Sequence, residues 1–518
     1  MTARAGEVVA VIGAGPAGLV AARYLASEGF RPVLFDAADR VGGQWRVGDA
    51  DSGVWPGMRT NTSRVTTAFS DLEHADGSPT YPTGADIGAY LQRFARTSGI
   101  LGEARFASRV SNLAPATGSG WQVTWTEADG RRRTERFDRA IVASGRYRTA
   151  HVPTLPGLDT FRGHGGISHV ARYQGAAAHV GHRVLVAGHS ISAVEIASEL
   201  ALKGAERVLV ASRRHRYVLQ KLIAGVPIEH RIYTRAAGLG ARFLPPATTS
   251  EALRSFIVRS SGHPAQFGAP CHAEDPSAAG FTQNQYYLPL VAEGRIHPRP
   301  WIASVDARGV TFADGSREDV DAILFGTGYT LDLPFAGEEV RAALDLDASH
   351  ADLHEFTFHP DLPGLAFIGL FEQGGPYFTP LELQARWIAY SWSGRCPAPT
   401  GPEMRAGVAA YRARRGESQF QRMHLMCHRF ATLAGVEPQV PGWPGLERAL
   451  LFGAQSPASF RLEGPEALPN APARVLHDAA AFGAVVGPHL TADEVEQLRQ
   501  LVPFVTDDAL RDLCRRLA

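Results

Sequence analysis

The stretch VLVAGHSISAVEIASEL, residues 184 to 200, is an apolar run, a tight Gly-His-Ser-Ile-Ser turn and an alanine-rich helical pattern. Read as Gly188-x-Ser190, it suggests a nucleophile elbow, a strained strand-to-helix turn that lifts a serine for acyl transfer. Read as Gly188-x-Ser190-x-x-Ala193, it suggests a dinucleotide cradle, in which the same turn lays a pyrophosphate on a helix N-terminus. The elbow wants a glycine two residues after the serine, where this chain has Ser192. The cradle wants a second copy of the same plan elsewhere.

That copy stands at the N-terminus. Strand VVAVI, turn GAGPAG, helix LVAARYLASEGF and strand PVLFD follow one another, ending on Asp36, 23 residues beyond Gly13. This is a complete dinucleotide fingerprint. Gly13 permits the tight turn, Gly15 lets a pyrophosphate approach the backbone, Pro16 and Ala17 open the helix, Gly18 lets it pack close, and Asp36 is placed for a ribose hydroxyl. Two later stretches, EADGRRRTERFDRAIVASG (127–145) and FADGSREDVDAILFGTG (312–328), also match each other. Each has an Asp-Gly hairpin signal, then an Asp, then a buried apolar strand ending in Ser-Gly or Thr-Gly. The chain therefore reads as two copies of one plan, which favours the cradle over the elbow. In the second copy VLVASRR puts Ser212, Arg213 and Arg214 where the first has Asp36. Loss of the acid and gain of guanidinium suits a 2'-phosphate, hence NADPH rather than NADH.

The 518 residues suffice for about three domain-sized units. Lys+Arg and Asp+Glu are both 52, so no global field favours nucleic acid or an anionic membrane. The four cysteines contain no C-x-x-C pair, against a disulfide framework, a zinc ribbon and a redox dithiol. The first strand starts by residue 8, and no stretch approaches the 18 or more apolar residues of a spanning helix. A cytoplasmic protein without membrane or nucleic-acid partner is expected. HLMCH (424–428) lacks the glutamate of H-E-x-x-H and a third ligand, so no metal is expected there. RRR (131–133) reads as a solvated hairpin. Residues 400 to 518 carry helical patterns, with a capping box from Thr491 to Glu494 and a helix start at Thr506. They are expected to cover a site or to form a subunit interface in a homo-oligomer.

Smaller motifs lie around the two copies: VGGQW (41–45), NTSRVTTAFSDL (61–72), FRGHGGISHVARY (161–173), FGTGY (325–329) and LELQARWIAYSWSG (381–394). With these, residues 7 to about 395 resemble the flavin-containing monooxygenases. Phe161, Gly163, His169 and Tyr173 match the identifying signature of that family, with five residues between Gly163 and His169 where three are usual. Gly188, Ser190, Ser192, Ala193, Glu195 and Ile196 resemble the variant cradle of bacterial members similar to trimethylamine monooxygenase. The resemblance implies an α/β fold of two Rossmann-like domains, the second inserted in the first. The FAD-binding domain would comprise 1–160 and 329–398, the NADPH-binding domain 161–328, and a helical extension 399–518.

The resemblance also implies an activity. NADPH would reduce FAD, the reduced flavin would capture O2 as a C4a-hydroperoxide, and one oxygen would pass to the nitrogen or sulfur of a small-molecule substrate. Asn61 matches the asparagine that handles oxygen beside flavin and nicotinamide, and Trp45 is expected along the flavin. Arg40, Gly43 and Gln44 flank it, Thr327 and Gly328 close the second domain, and Gln373 and Gln384 are expected toward the flavin end. The alternatives are a Baeyer-Villiger enzyme acting on ketones, which tends to carry Trp where this chain has Tyr173, and an NADPH-dependent flavin reductase without oxygenation. Neither reading of the Gly188 turn gives His189 a reason.

Overall fold

Strand Val8–Ile12 sits at the centre of a parallel sheet because it is apolar throughout and flanked on both sides: the order is Arg31–Phe35, Val8–Ile12, Arg139–Val142, Leu365–Phe367. The computed structural model describes residues 6–49 and 51–518. A second parallel sheet has the order Ile296–Arg299, Arg207–Ala211, Arg183–Ala187, Ala322–Phe325, Gly166–His169. The last strand of the first sheet, Leu365–Phe367, follows the whole second sheet in the chain. The second α/β unit is thus inserted in the first.

The repeat seen in the sequence has a physical counterpart. Each unit carries a three-stranded antiparallel meander, Arg109–Pro115 to Arg132–Phe137 in the first and Ile302–Val305 to Arg317–Asp319 in the second. Each then places its repeated aspartate at the start of the central strand. The Val8 N–H donates to Asp138 Oδ2 at 2.8 Å, and the Arg183 N–H to Asp321 Oδ2 at 2.9 Å. The two aspartates stitch Arg139–Val142 to Val8–Ile12 in the first unit and Ala322–Phe325 to Arg183–Ala187 in the second. Arg131 and Arg133 pair with Asp129 and Glu127 on an exposed hairpin.

The glycine turns are alike as well. Gly13 and Gly188 have φ of 112° and 133°, and a Cβ would lie 2.4 Å from the Ala143 carbonyl oxygen at the first and 2.3 Å from the Gly326 carbonyl oxygen at the second. The copies part at the third position. A Cβ on Gly18 would lie 1.8 Å from the Gly13 oxygen, whereas the second copy holds Ala193. Room for Ala193 comes from across the interface: the residue facing it is Gly326, where the first copy has Ala143, and a Cβ there would meet the Ala193 methyl at 2.8 Å. Gly-opposite-Ala has become Ala-opposite-Gly.

Helix Phe378–Ser393, the LELQARWIAYSWSG segment, is buried along almost its whole length between helix Pro16–Ser27 and helix Met423–Leu433. The C-terminal region is mainly helical, from Gly401–Arg412 to Asp508–Leu517. Its short strand Gln421–Arg422 pairs in parallel with Gln373–Gly374. The Thr491–Glu494 capping box is formed. The last helix is capped by Asp507, whose carboxylate accepts the Leu510 N–H at 2.8 Å, one residue later than the expected start at Thr506. Aspartate is the stronger acceptor beside a helix N-terminus. Among the described residues no helix is long and apolar enough to cross a membrane.

Candidate active site

A cavity of about 660 Å³ opens where the first glycine turn, the VGGQW loop and the 58–62 segment meet. Gly13, Gly15, Pro16, Ala17 and Asp36 line it from the first cradle, and Gly43, Gln44 and Trp45 from the loop. The loop closes on the cradle because two glycines face each other: a Cβ on Gly43, at φ 56°, would lie 2.8 Å from the Gly15 Cα. The Gly42 N–H donates to the Ala14 oxygen at 2.9 Å. The Asp36 carboxylate accepts the N–H groups of Ala14 and Ala38 at 2.8 and 2.9 Å, and Arg46 lies 3.4 Å away. Those bonds lock the carboxylate at the rim of the cradle.

Helix Pro16–Ser27 starts at Gly15 without a side-chain cap, so its first-turn N–H groups are open to an anion. Three polar atoms of the cavity wall, Asn61 Oδ1, Ser144 Oγ and Gln373 Oε1, are buried with no hydrogen-bond partner among the described residues. An unsatisfied buried polar atom costs about 1–3 kcal/mol, so such a set in one cavity marks a polar ligand. Uncapped helix, glycine cradle, fixed carboxylate and unpaired amides together fit a flavin dinucleotide.

The second cradle opens on the same cavity through Ile191 and Gln283. Ser190 begins helix Ile191–Leu202, again with no side-chain cap, and both Ser190 and Ser192 are exposed. Ser190 has φ −93° and ψ 176°, ordinary extended backbone. The strain of a nucleophile elbow is absent. Arg213 and Arg214 are exposed beyond strand Arg207–Ala211, with the Arg213 guanidinium 4.7 Å above the Trp301 ring. His189 now has a role: its Nδ1 accepts the Arg216 N–H at 3.1 Å, and its ring packs edge-on to Tyr287 and His215. Burial pushes the imidazole well below its usual range, which keeps it a neutral acceptor tying the basic turn to the glycine turn.

Not every expected residue reaches the cavity. Gly18, Gly188 and Ala193 act through backbone packing. Thr327 and Gly328 lie in the link between the units, where the Thr327 hydroxyl and the Gly328 carbonyl bond to His151. Arg40 is half-exposed and pairs with Asp39 and Asp49, beside a smaller pocket it shares with Trp45. Gln384 is wholly buried away from the cavity. Its Oε1 accepts the Gly369 N–H at 3.0 Å and its Nε2 donates to Thr357 Oγ1 at 2.8 Å, so it holds the wall residue Gly369 instead of facing a ligand. His169, at the end of its strand, uses Nδ1 for the Ala171 N–H and packs against Tyr329. Other wall residues had no sequence signal. Tyr147 and Tyr377 join their hydroxyls at 2.7 Å, Tyr377 accepts the Gln373 N–H at 2.9 Å, and buried Arg146 pairs with Glu372 at 2.9 Å.

A profile of the flavin-binding monooxygenase-like family matches residues 6–497. The chain belongs to this family. It is therefore a flavin-dependent monooxygenase, of a family that depends on FAD and NADPH, and its two cradles are the parts that such cofactors require. It is 27% identical to the dimethylaniline monooxygenase [N-oxide-forming] 2 of Cavia porcellus, over 95% of this chain and 97% of the relative. In fold it is similar to S-allyl-L-cysteine S-oxygenase from Allium sativum, with a TM-score of 0.62 and 24% identity over 83% of this chain and 89% of the other. Cyclohexanone monooxygenase in its open form gives a TM-score of 0.61 and 20% identity over 84% and 98%. Two dinucleotide-binding units with a helical C-terminal part are the arrangement of this flavin-monooxygenase fold.

Proposed function

We propose that this monooxygenase takes two electrons from NADPH, places one atom of O2 on the amine nitrogen or sulfide sulfur of a small molecule, and releases the other as water. FAD supplies the redox chemistry when bound; the chain binds, orients and keeps water out. Gly13, Gly15 and the helix start at Pro16 would hold its pyrophosphate and Asp36 a ribose, with Trp45 and Gln373 toward the ring end. Ser190 and Ser192, with the uncapped helix start, would hold the NADPH pyrophosphate, and Arg213 and Arg214 the 2'-phosphate. The observation that carries the reading is Asn61 Oδ1, buried without a partner among the described residues in a cavity walled by both units. A carboxamide both donates and accepts hydrogen bonds without titrating, which suits steering oxygen without losing a proton to it.

Heteroatom oxygenation is favoured by the N-oxide-forming relative, by the S-oxygenase fold neighbour and by Tyr173 in the signature. The cyclohexanone monooxygenase likeness supports oxygen insertion beside a ketone as the second reading. Turnover with NADPH and 18O2 on an amine, a sulfide and a ketone decides between them. Labelled N-oxide or sulfoxide is expected; labelled ester or lactone alone would select the ketone reading. If every electron were recovered as H2O2 with no labelled product, the turnover would be NADPH oxidation without oxygenation and both readings would fall for these substrates.

A further inference from the structure

Behind the Asn61 wall lies a buried pair that the cavity does not contain. Glu229 and His230 belong to the short helix Glu229–Ile232 of the inserted unit, and both are fully buried. Glu229 Oε1 accepts the Ser63 N–H and, at 3.4 Å, the Thr66 hydroxyl, while Oε2 has no partner among the described residues. His230 Nε2 lies 2.9 Å from the Ser63 hydroxyl. Ser63 is two residues after Asn61, on the outer side of a segment whose inner residues Asn61, Thr62 and Thr67 line the cavity. The Thr62 and Thr67 hydroxyls meet at 2.8 Å, and the Thr67 N–H donates to the Ser63 oxygen at 3.0 Å, so a pull on Ser63 is felt through the loop.

We propose that Glu229 is a positioning residue for oxygen transfer: carried by the inserted unit, its carboxyl clamps the outer face of residues 61–67, so that Asn61 stands in place only when the two units are docked. This rests on the reading of the cavity as the oxygenation site. The titratable groups that feel the charge of the carboxyl are Tyr81 and Tyr233, His230 shares its partner Ser63, and no basic side chain pairs with it among the described residues. Burial therefore pushes Glu229 up to about 7, against the pull of the Ser63 N–H, and pushes His230 down to about 4, which keeps it neutral. Near neutrality the clamp has two strengths. The ionised carboxylate grips Ser63 with a charge-assisted bond, and the protonated one with a weaker bond.

The test uses the FAD-loaded enzyme and the variants Glu229→Ala and Glu229→Gln, with two readouts: amide hydrogen exchange of the 61–67 peptide, and the share of NADPH electrons lost as H2O2. Glu229→Ala is expected to speed exchange about tenfold, the worth of one charge-assisted hydrogen bond. It should also raise the H2O2 share several-fold, while the KM for NADPH moves less than about twofold because the second cradle is untouched. Wild type should show an H2O2 share that falls as pH rises through about 7. Glu229→Gln keeps an oxygen acceptor for Ser63 but cannot ionise, so it should restore protection and flatten that pH step. Unchanged exchange in Glu229→Ala, or a wild-type pH step in Glu229→Gln, overturns the proposal; if Glu229→Ala does not fold, the Glu229→Gln profile decides alone. Should wild type oxygenate nothing, the proposed function fails, and the exchange readout by itself sustains or overturns the clamp.

Discussion

At the scale of single residues, the two cradles solve one packing problem in mirror order, and this can be tested by exchange. Gly326→Ala places a Cβ 2.8 Å from the Ala193 methyl and 3.5 Å from the Ala187 oxygen, overpacking that costs about 1–3 kcal/mol. Ala193→Gly alone should cost about 1 kcal/mol through lost helix propensity and lost contact. The double variant rebuilds the arrangement of the first copy and should be more stable than the two single effects added. Urea unfolding of the four proteins gives the coupling directly, and zero coupling would mean the swap is accidental. Such pairs explain what was legible in the sequence. The first cradle was readable because its fingerprint is local, a strand, a turn and a helix within some thirty residues. Glu229 was not, since it acts on Ser63 166 positions away and sits in no recurring pattern. The orientation of Gln384 was not legible for the same reason: its partners Gly369 and Thr357 decide which way the amide turns.

At the scale of an element, helix Met423–Leu433 shows how spacing misleads until the faces are known. In HLMCH the two histidines are one turn apart, yet His424 is buried while His428 is half-exposed and lies 3.7 Å from Glu437. Among the described residues neither ring nitrogen of His424 has a partner, its ring packs on Tyr233, and burial pushes it down to about 3. The unfolded chain therefore takes up a proton near pH 6.5 that the folded chain refuses until about pH 3. The stabilisation from neutral His424 is complete above pH 6.5 and is lost as pH falls toward 3, roughly 3 kcal/mol of it by pH 4. His424→Phe fills the site without a titratable group. Its melting temperature should fall less steeply than that of wild type between pH 7 and pH 4, and parallel acid limbs would show that His424 is solvated in the folded protein. The last helix teaches the converse lesson: its pattern was readable and only its cap shifted, to the carboxylate of Asp507.

At the scale of the whole molecule, the C-terminal region is tied into the core of the first unit through residues 423–436 and Phe460, while most of its later apolar side chains form a core of their own with Ala236 of the inserted unit. Its composition could show helices but not where they pack, because the contacts that place them run to residues hundreds of positions earlier. Arg461 is the clearest of these. Its guanidinium lies 2.9 Å from each of Tyr24 Oη, Ser70 Oγ and Asp71 Oδ1, and its Nε donates to the Glu466 oxygen at 2.8 Å. Tyr24 and Ser70 in turn donate to Glu382, on the buried helix behind the cavity wall. One cation from the extension thus compensates carboxylates held between the first cradle's helix and helix Phe378–Ser393. Arg461→Met keeps much of the volume but leaves the Glu382 carboxylate buried with less positive charge beside it, while Asp71 keeps Arg23, a change that costs about 3 kcal/mol. The variant should melt well below wild type and release FAD more readily on dilution, because helix Pro16–Ser27 carries both Tyr24 and the pyrophosphate cradle. Glu382→Gln added to Arg461→Met removes the stranded charge and should return part of the lost stability. A single variant that melts with wild type and keeps its FAD would make the extension a separable cover after all.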